Sequence, residues 1–139
     1  MDAIPDRLHL EPHPEGGYYR QTWVGAERMT TNDGRDRASA SLIYFWLPAG
    51  DASAWHRVAS DEIWLAHRGS VMLELGAAGD EPAAPEQHRL GCDLERGESP
   101  QILVPAGVWQ RTLPLAEDAL VSCLVSPAFD FDDFDLGPT

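Results

Sequence analysis

The stretch Gly50 to Gly69, GDASAWHRVASDEIWLAHRG, constrains the chain more than any other, because it sets one histidine and one glutamate between two glycines. Five residues separate Gly50 from His56, and six separate Glu62 from Gly69. That spacing predicts a glycine turn, a short strand bearing His56, a bend at Ala59-Ser60-Asp61, and a second strand bearing Glu62. Strand side chains alternate between faces, so His56 and Val58 share one face and Glu62, Trp64 and Ala66 share another. If both faces turn inward, an imidazole and a carboxylate meet inside one barrel.

The rest of the chain reads as strands and turns. Residues 2–9 are compatible with a short helix or extended segment, ended by Pro12 and Pro14. Gly16-Gly17 permits a tight bend before the aromatic run Tyr18 to Trp23, in which Tyr18 and Arg20 share a face. Arg20 is a candidate fork for a ligand carboxylate or phosphate, with a strand-edge salt bridge as the alternative. Residues 24–37 are polar, with Asn32-Asp33-Gly34 as a turn signal, and read as a long loop or hairpin.

ASASLIYFWLP is the most strand-like run, apolar on both faces, with Leu42, Tyr44 and Trp46 on one and Ile43, Phe45 and Leu47 on the other. Such a strand is expected to be covered on both sides, by the barrel interior and by a second sheet or a partner subunit. Further strands are expected at Val71 to Leu75, within Gln87 to Ser99 together with a turn, on both sides of Pro105-Ala106-Gly107, and over Ala119 to Pro127. In the closing PAFDFDDFDLGPT, Phe129, Phe131 and Phe134 are expected to dock onto the barrel with the aspartates outside. Eight or nine short strands with almost no helical periodicity point to an all-β sandwich or barrel.

Composition narrows the function. A chain of 139 residues that is 43% hydrophobic suits one core, so residues 1–139 are expected to form a single domain. A formal charge of -13 argues against nucleic acid and anionic membranes as partners. Cys92 and Cys123 lie far apart with no C-x-x-C cluster, which fits reduced packing residues in a cytoplasmic protein. No basic leader with an apolar run opens the sequence, and nowhere do eighteen apolar residues run together.

The segment around His56 and Glu62 resembles the first motif of the cupin superfamily, a glycine, His-x-His, glutamate and glycine in series, with Val58 in place of the second histidine. Gly97 to Gln110, GESPQILVPAGVWQ, resembles the second motif, with Gln110 where a histidine usually stands. LEPHPEGGYYRQTW, SDEIW, VPAGVWQ and PAFDFDDFDL together resemble the small single-domain "cupin five" branch, of largely unassigned function. The resemblance implies an all-β double-stranded β-helix, the cupin jelly roll, and a homodimer.

Three uses of the barrel interior follow. The first is a metal-dependent cupin enzyme in which His56, Glu62 and Gln110 hold one divalent iron, manganese, nickel or zinc ion. In the second, without metal, Glu62 orients His56 and raises its basicity while Tyr44 or Tyr18 returns a proton, as in an isomerase or epimerase. Cupin-fold sugar epimerases make that reading reasonable by resemblance. The third is a non-catalytic module that holds a small polar molecule, carbohydrate-like or bearing a carboxylate or carbonyl, against Trp46 and Trp64. A structural alternative makes His56 and Glu62 a satisfied buried pair and the tryptophans core or subunit-contact residues. The reading favoured by the residues is a small-molecule-binding enzyme centred on His56 and Glu62, with Tyr44 as a further catalytic candidate and Tyr18, Arg20, Trp46, Trp64 and Gln110 as substrate contacts.

Overall fold

The structure, a computed structural model, describes residues 4–138. A four-residue helix, α1 (Ile4–Arg7), opens it, and the start of the expected 2–9 segment lies outside the described residues. Thirteen strands follow: β1 (Glu11–Pro12), β2 (Tyr18–Val24), β3 (Arg28–Thr30), β4 (Asp36–Ala38), β5 (Ser41–Leu47), β6 (His56–Arg57), β7 (Asp61–Arg68), β8 (Val71–Leu75), β9 (Glu86–Leu90), β10 (Gln101–Val104), β11 (Gln110–Leu113), β12 (Ala119–Ser126) and β13 (Asp135–Leu136). The number exceeds the eight or nine expected because short pairings at the edges qualify as strands.

Two antiparallel sheets face each other, one ordered β1-β2-β5-β12-β7-β10 and the other β13-β6-β11-β8-β9. The bend at Ala59 and Ser60 carries the chain from β6 in the smaller sheet to β7 in the larger. His56 and Glu62 therefore come from opposite walls rather than from one hairpin. Residues 24–37 fold as a loop and hairpin, β3 against β4, in which Arg35 N–H closes on Thr31.

The core is built from the inward positions of both sheets: Phe45 and Leu47 of β5, Trp64 of β7, Val71 and Leu73 of β8, Leu90 of β9, Val104 of β10, and Ala119, Val121 and Cys123 of β12. Alternation on β5 turns Ile43, Phe45 and Leu47 inward and leaves Leu42, Tyr44 and Trp46 on the outer face of the larger sheet. Trp23 and Leu103 stand on that outer face near its two edges, 49% and 54% exposed. Among the described residues no helix is long and apolar enough to cross a membrane.

Candidate functional site

Toward one end of the barrel the core gives way to a cavity of about 270 Å³. His56 lines it from the smaller sheet, Val58 from the connection just after β6, and Glu62, Ile43, Cys123, Tyr19 and Gln21 from the larger sheet. His13 and Glu15 enter from the N-terminal turn; Phe129, Phe131 and Phe134 enter from the C-terminal segment.

His56 is 2% exposed and held at both nitrogens. Nδ1 lies 2.8 Å from the Ala54 carbonyl, and Nε2 lies 2.7 Å from Oε2 of Glu15. Both neighbours accept, so the imidazole serves both when it is doubly protonated. Burial alone would lower its pKa, but the charge and hydrogen bond of Glu15, with Glu62 adding, outweigh burial and raise it to about 9. The carboxylate that orients His56 is thus Glu15, not Glu62 as expected from the sequence.

Glu15 arrives there because of the two glycines after it. The turn closes with His13 N–H on the Gly17 carbonyl and Gly16 N–H on the His13 carbonyl, and the Glu15 carbonyl accepts from Ala54 N–H at 2.7 Å. Gly16 and Gly17 take φ of +107° and +74°, and a Cβ on Gly16 would stand 2.6 Å from the Ala52 carbonyl oxygen. Only glycine fits both demands, so PEGGYY is the local signal for a carboxylate pressed against the 52–54 loop. Within this turn His13 Nδ1 accepts from Glu15 N–H at 3.1 Å. Burial holds the His13 pKa below the usual histidine range.

Glu62, on the opposite wall, has neutral donors only. Gln110 Nε2–H donates to Glu62 Oε1 at 2.8 Å, and the buried Cys123 thiol donates as well. Burial raises the Glu62 pKa against the pull of His56, and burial followed by Glu62 raises that of Cys123. Gln110 is fully buried, and its Oε1 accepts from Trp64 Nε1–H at 2.8 Å. The chain Trp64 to Gln110 to Glu62 ties the two sheets and fixes one orientation of the carboxylate.

The remaining sequence-predicted residues fall elsewhere. Trp64 is wholly buried in the core, so it positions Gln110 instead of stacking on a ligand. Tyr18, Arg20, Tyr44 and Trp46 lie on the outer face of the larger sheet, because Tyr19, Gln21, Ile43 and Phe45 take the inward positions of β2 and β5. The ring of Tyr44 meets His67 there, 6.3 Å away, and cannot return a proton to His56. Among the described residues no arginine lines the cavity, and the sequence has no lysine. The described lining thus offers neither an arginine fork for an anion nor a lysine for imine formation.

The three phenylalanines dock as expected, and they close the cavity. Phe134 stacks on His56 at 5.5 Å with the planes 26° apart, and Phe129 and Phe131 pack edge to face at 4.7 Å. The aspartates do not all stay outside. Asp133 takes Arg37 Nη1 at 2.6 Å and Arg35 Nη2 at 2.7 Å, latching the segment to the β3–β4 hairpin. Arg57 pairs with Asp135 at 3.0 Å, and β13 adds its short pairing to β6 beside His56.

The donor set does not fit the metal expected from the motif resemblance. Val58 has no donor atom, the Gln110 oxygen is engaged by Trp64, and both His56 nitrogens face acceptors. Among the described residues no three of His, Cys, Asp and Glu converge in a way that could hold a metal ion.

Residues 2–137 match the family model described as Cupin superfamily (DUF985). The chain belongs to the cupin superfamily. This cupin is 34% identical to a hypothetical protein from Leishmania major, covering 94% of this chain and 83% of that one with a TM-score of 0.85. A protein from Shewanella oneidensis is 36% identical, covering 97% of this cupin and 82% of its own chain with a TM-score of 0.84. An uncharacterised protein of Saccharomyces cerevisiae is 27% identical over 96% of this cupin and 73% of its own length.

Proposed function

We propose that this cupin is a metal-independent acid–base enzyme of the isomerase or epimerase class, acting on a small carbonyl compound held in the barrel cavity. The observation that carries the reading is a doubly anchored imidazolium, His56, set in the cavity wall between two buried carboxylates. Both N–H groups of His56 are engaged by Ala54 and Glu15, so it acts through its positive charge, which stabilises the negative charge that develops on the substrate oxygen, and Glu15 keeps the imidazole charged and oriented. Glu62, its basicity raised by burial, takes the proton from the carbon beside the carbonyl. Glu62 returning that proton to the neighbouring carbon gives isomerisation, and returning it to the same carbon after the intermediate has turned its other face to Glu62 gives epimerisation. Because no arginine is among the described residues that line the cavity, carboxylate and phosphate substrates are disfavoured.

The test is proton exchange. Small hydroxy- and amino-carbonyl compounds incubated with the protein in D₂O are expected to gain deuterium beside the carbonyl, as read by NMR. His56→Gln is expected to abolish the exchange, since glutamine keeps polarity and loses the positive charge. Exchange that persists in His56→Gln, or none with any such compound, sinks the proposal.

A further inference from the structure

We infer that the ligand of this cavity carries a cationic ammonium group, which supplies the positive charge that the protein leaves out. The inference deepens the acid–base reading and rests on it, because Glu62 must be ionised to act as a base.

Every charged or titratable group facing the cavity can be placed. Glu62 and Cys123 project from the larger sheet, His56 from the smaller, and His13, Glu15 and Tyr19 from the N-terminal turn and β2. Glu15 is matched by His56 at 2.7 Å. Among the described residues Glu62 is matched by nothing charged within hydrogen-bonding distance, since its donors are an amide and a thiol. With Glu62 ionised, two carboxylates face one imidazolium, and the enclosed space holds one uncompensated negative charge. Buried charges in proteins are normally paired. The missing partner has room only in the cavity itself.

The rest of the wall fits the same group. Phe129, Phe131, Phe134 and Tyr19 surround the space with aromatic carbon, and aromatic walls beside carboxylates suit alkylated ammonium groups, which cannot satisfy a full set of hydrogen bonds. The overall charge of -13 draws cations toward the protein and repels anions.

Choline, ethanolamine and 3,3-dimethylbutan-1-ol make the test, the last matching choline in shape without its charge. Binding to the protein is measured by calorimetry at pH 7. At least one cation is expected to bind about tenfold more tightly than the neutral alcohol, the order set by cation–aromatic contact. Glu62→Gln, nearly isosteric, is expected to erase the preference. Phe131→Leu, at a half-exposed position, is expected to weaken the cation selectively. Equal or tighter binding of the neutral alcohol, or no binding by either cation, overturns the inference. Deuterium exchange on neutral carbonyl compounds alongside that result leaves the acid–base reading standing and removes only the cation.

Discussion

The cavity has two kinds of wall. Its strand-borne part, His56, Glu62, Ile43 and Cys123, is backed by the core and braced by the Trp64 to Gln110 tie across the sheets. Its appended part comes from outside the barrel, as a glycine turn bearing His13 and Glu15 and a C-terminal segment bearing three phenylalanines. Barrel strands place His56 and Glu62, and the appended pieces set the charge of one of them and the shape of the space. A scaffold of this kind can change what its cavity accepts by changing its appendages while the strands stay as they are.

The appended wall is the easier to break, and its latch is the place to break it. Arg37 is buried against Asp133 at 2.6 Å, so Asp133→Ala leaves a buried guanidinium whose nearest remaining carboxylate is Asp130 at 4.0 Å. Losing one partner of a buried pair costs about 3 kcal/mol. Urea unfolding is expected to show a loss of that order, and limited proteolysis is expected to cut within residues 127–137 before the barrel opens. A loss below about 0.5 kcal/mol, the level of an ordinary surface change, would show that the phenylalanines hold the segment unaided.

An effect of similar size tests how the appended turn acts on the strand-borne wall. The folded His56 pKa, about 9, lies above the histidine reference of 6.5. A raised folded pKa means that the native state binds the proton more tightly, so this stabilisation is complete below about pH 6.5 and is lost as pH rises toward 9. The full window corresponds to roughly 3 kcal/mol at 1.36 kcal/mol per unit. Stability measured between pH 6.5 and 9 is expected to fall in the wild type and to run nearly flat in His56→Gln. In Glu15→Gln the imidazole C–H resonances are expected to titrate at least a unit lower, because the largest upward influence on His56 is gone. An unchanged His56 titration in Glu15→Gln would move the source of its charge to Glu62.

The same division explains what could be read from sequence. The inward placement of His56 and Glu62 needs only alternation along short strands, and glycines at both ends pin the segment. The docking of Phe129, Phe131 and Phe134 follows from the cost of leaving them in water. Glu15 was not legible, because its position beside His56 depends on a positive-φ turn packing onto a loop nearly forty residues away. The Asp133 latch likewise needs the β3–β4 hairpin to lie beside the chain end, a tertiary fact with no local pattern. The misplaced residues, Tyr18, Arg20, Tyr44 and Trp46, come from β2 and β5, whose two faces are both rich in aromatic or apolar side chains. Periodicity there tells which residues share a face and is silent on which face turns in.

The smallest expected effect sharpens that last point. On β2, Tyr18 and Arg20 point outward while Tyr19 and Gln21 point to the cavity, so neighbours on one strand report on opposite environments. The double variant Tyr18→Phe with Arg20→Gln alters a hydroxyl and a charge on the outer face alone. It is expected to change stability by no more than about 0.5 kcal/mol and to leave the His56 titration where it is. Tyr19→Leu, one position along, removes an aromatic ring that packs edge to face on His13 at 4.6 Å and lines the cavity. It is expected to shift the His56 resonances and to weaken any cavity ligand. If the double variant moves the His56 titration by a unit while Tyr19→Leu leaves it unchanged, β2 is in the opposite register. Arg20 would then regain the pocket role that its residue type suggests, and the cavity would have a second cation beside His56.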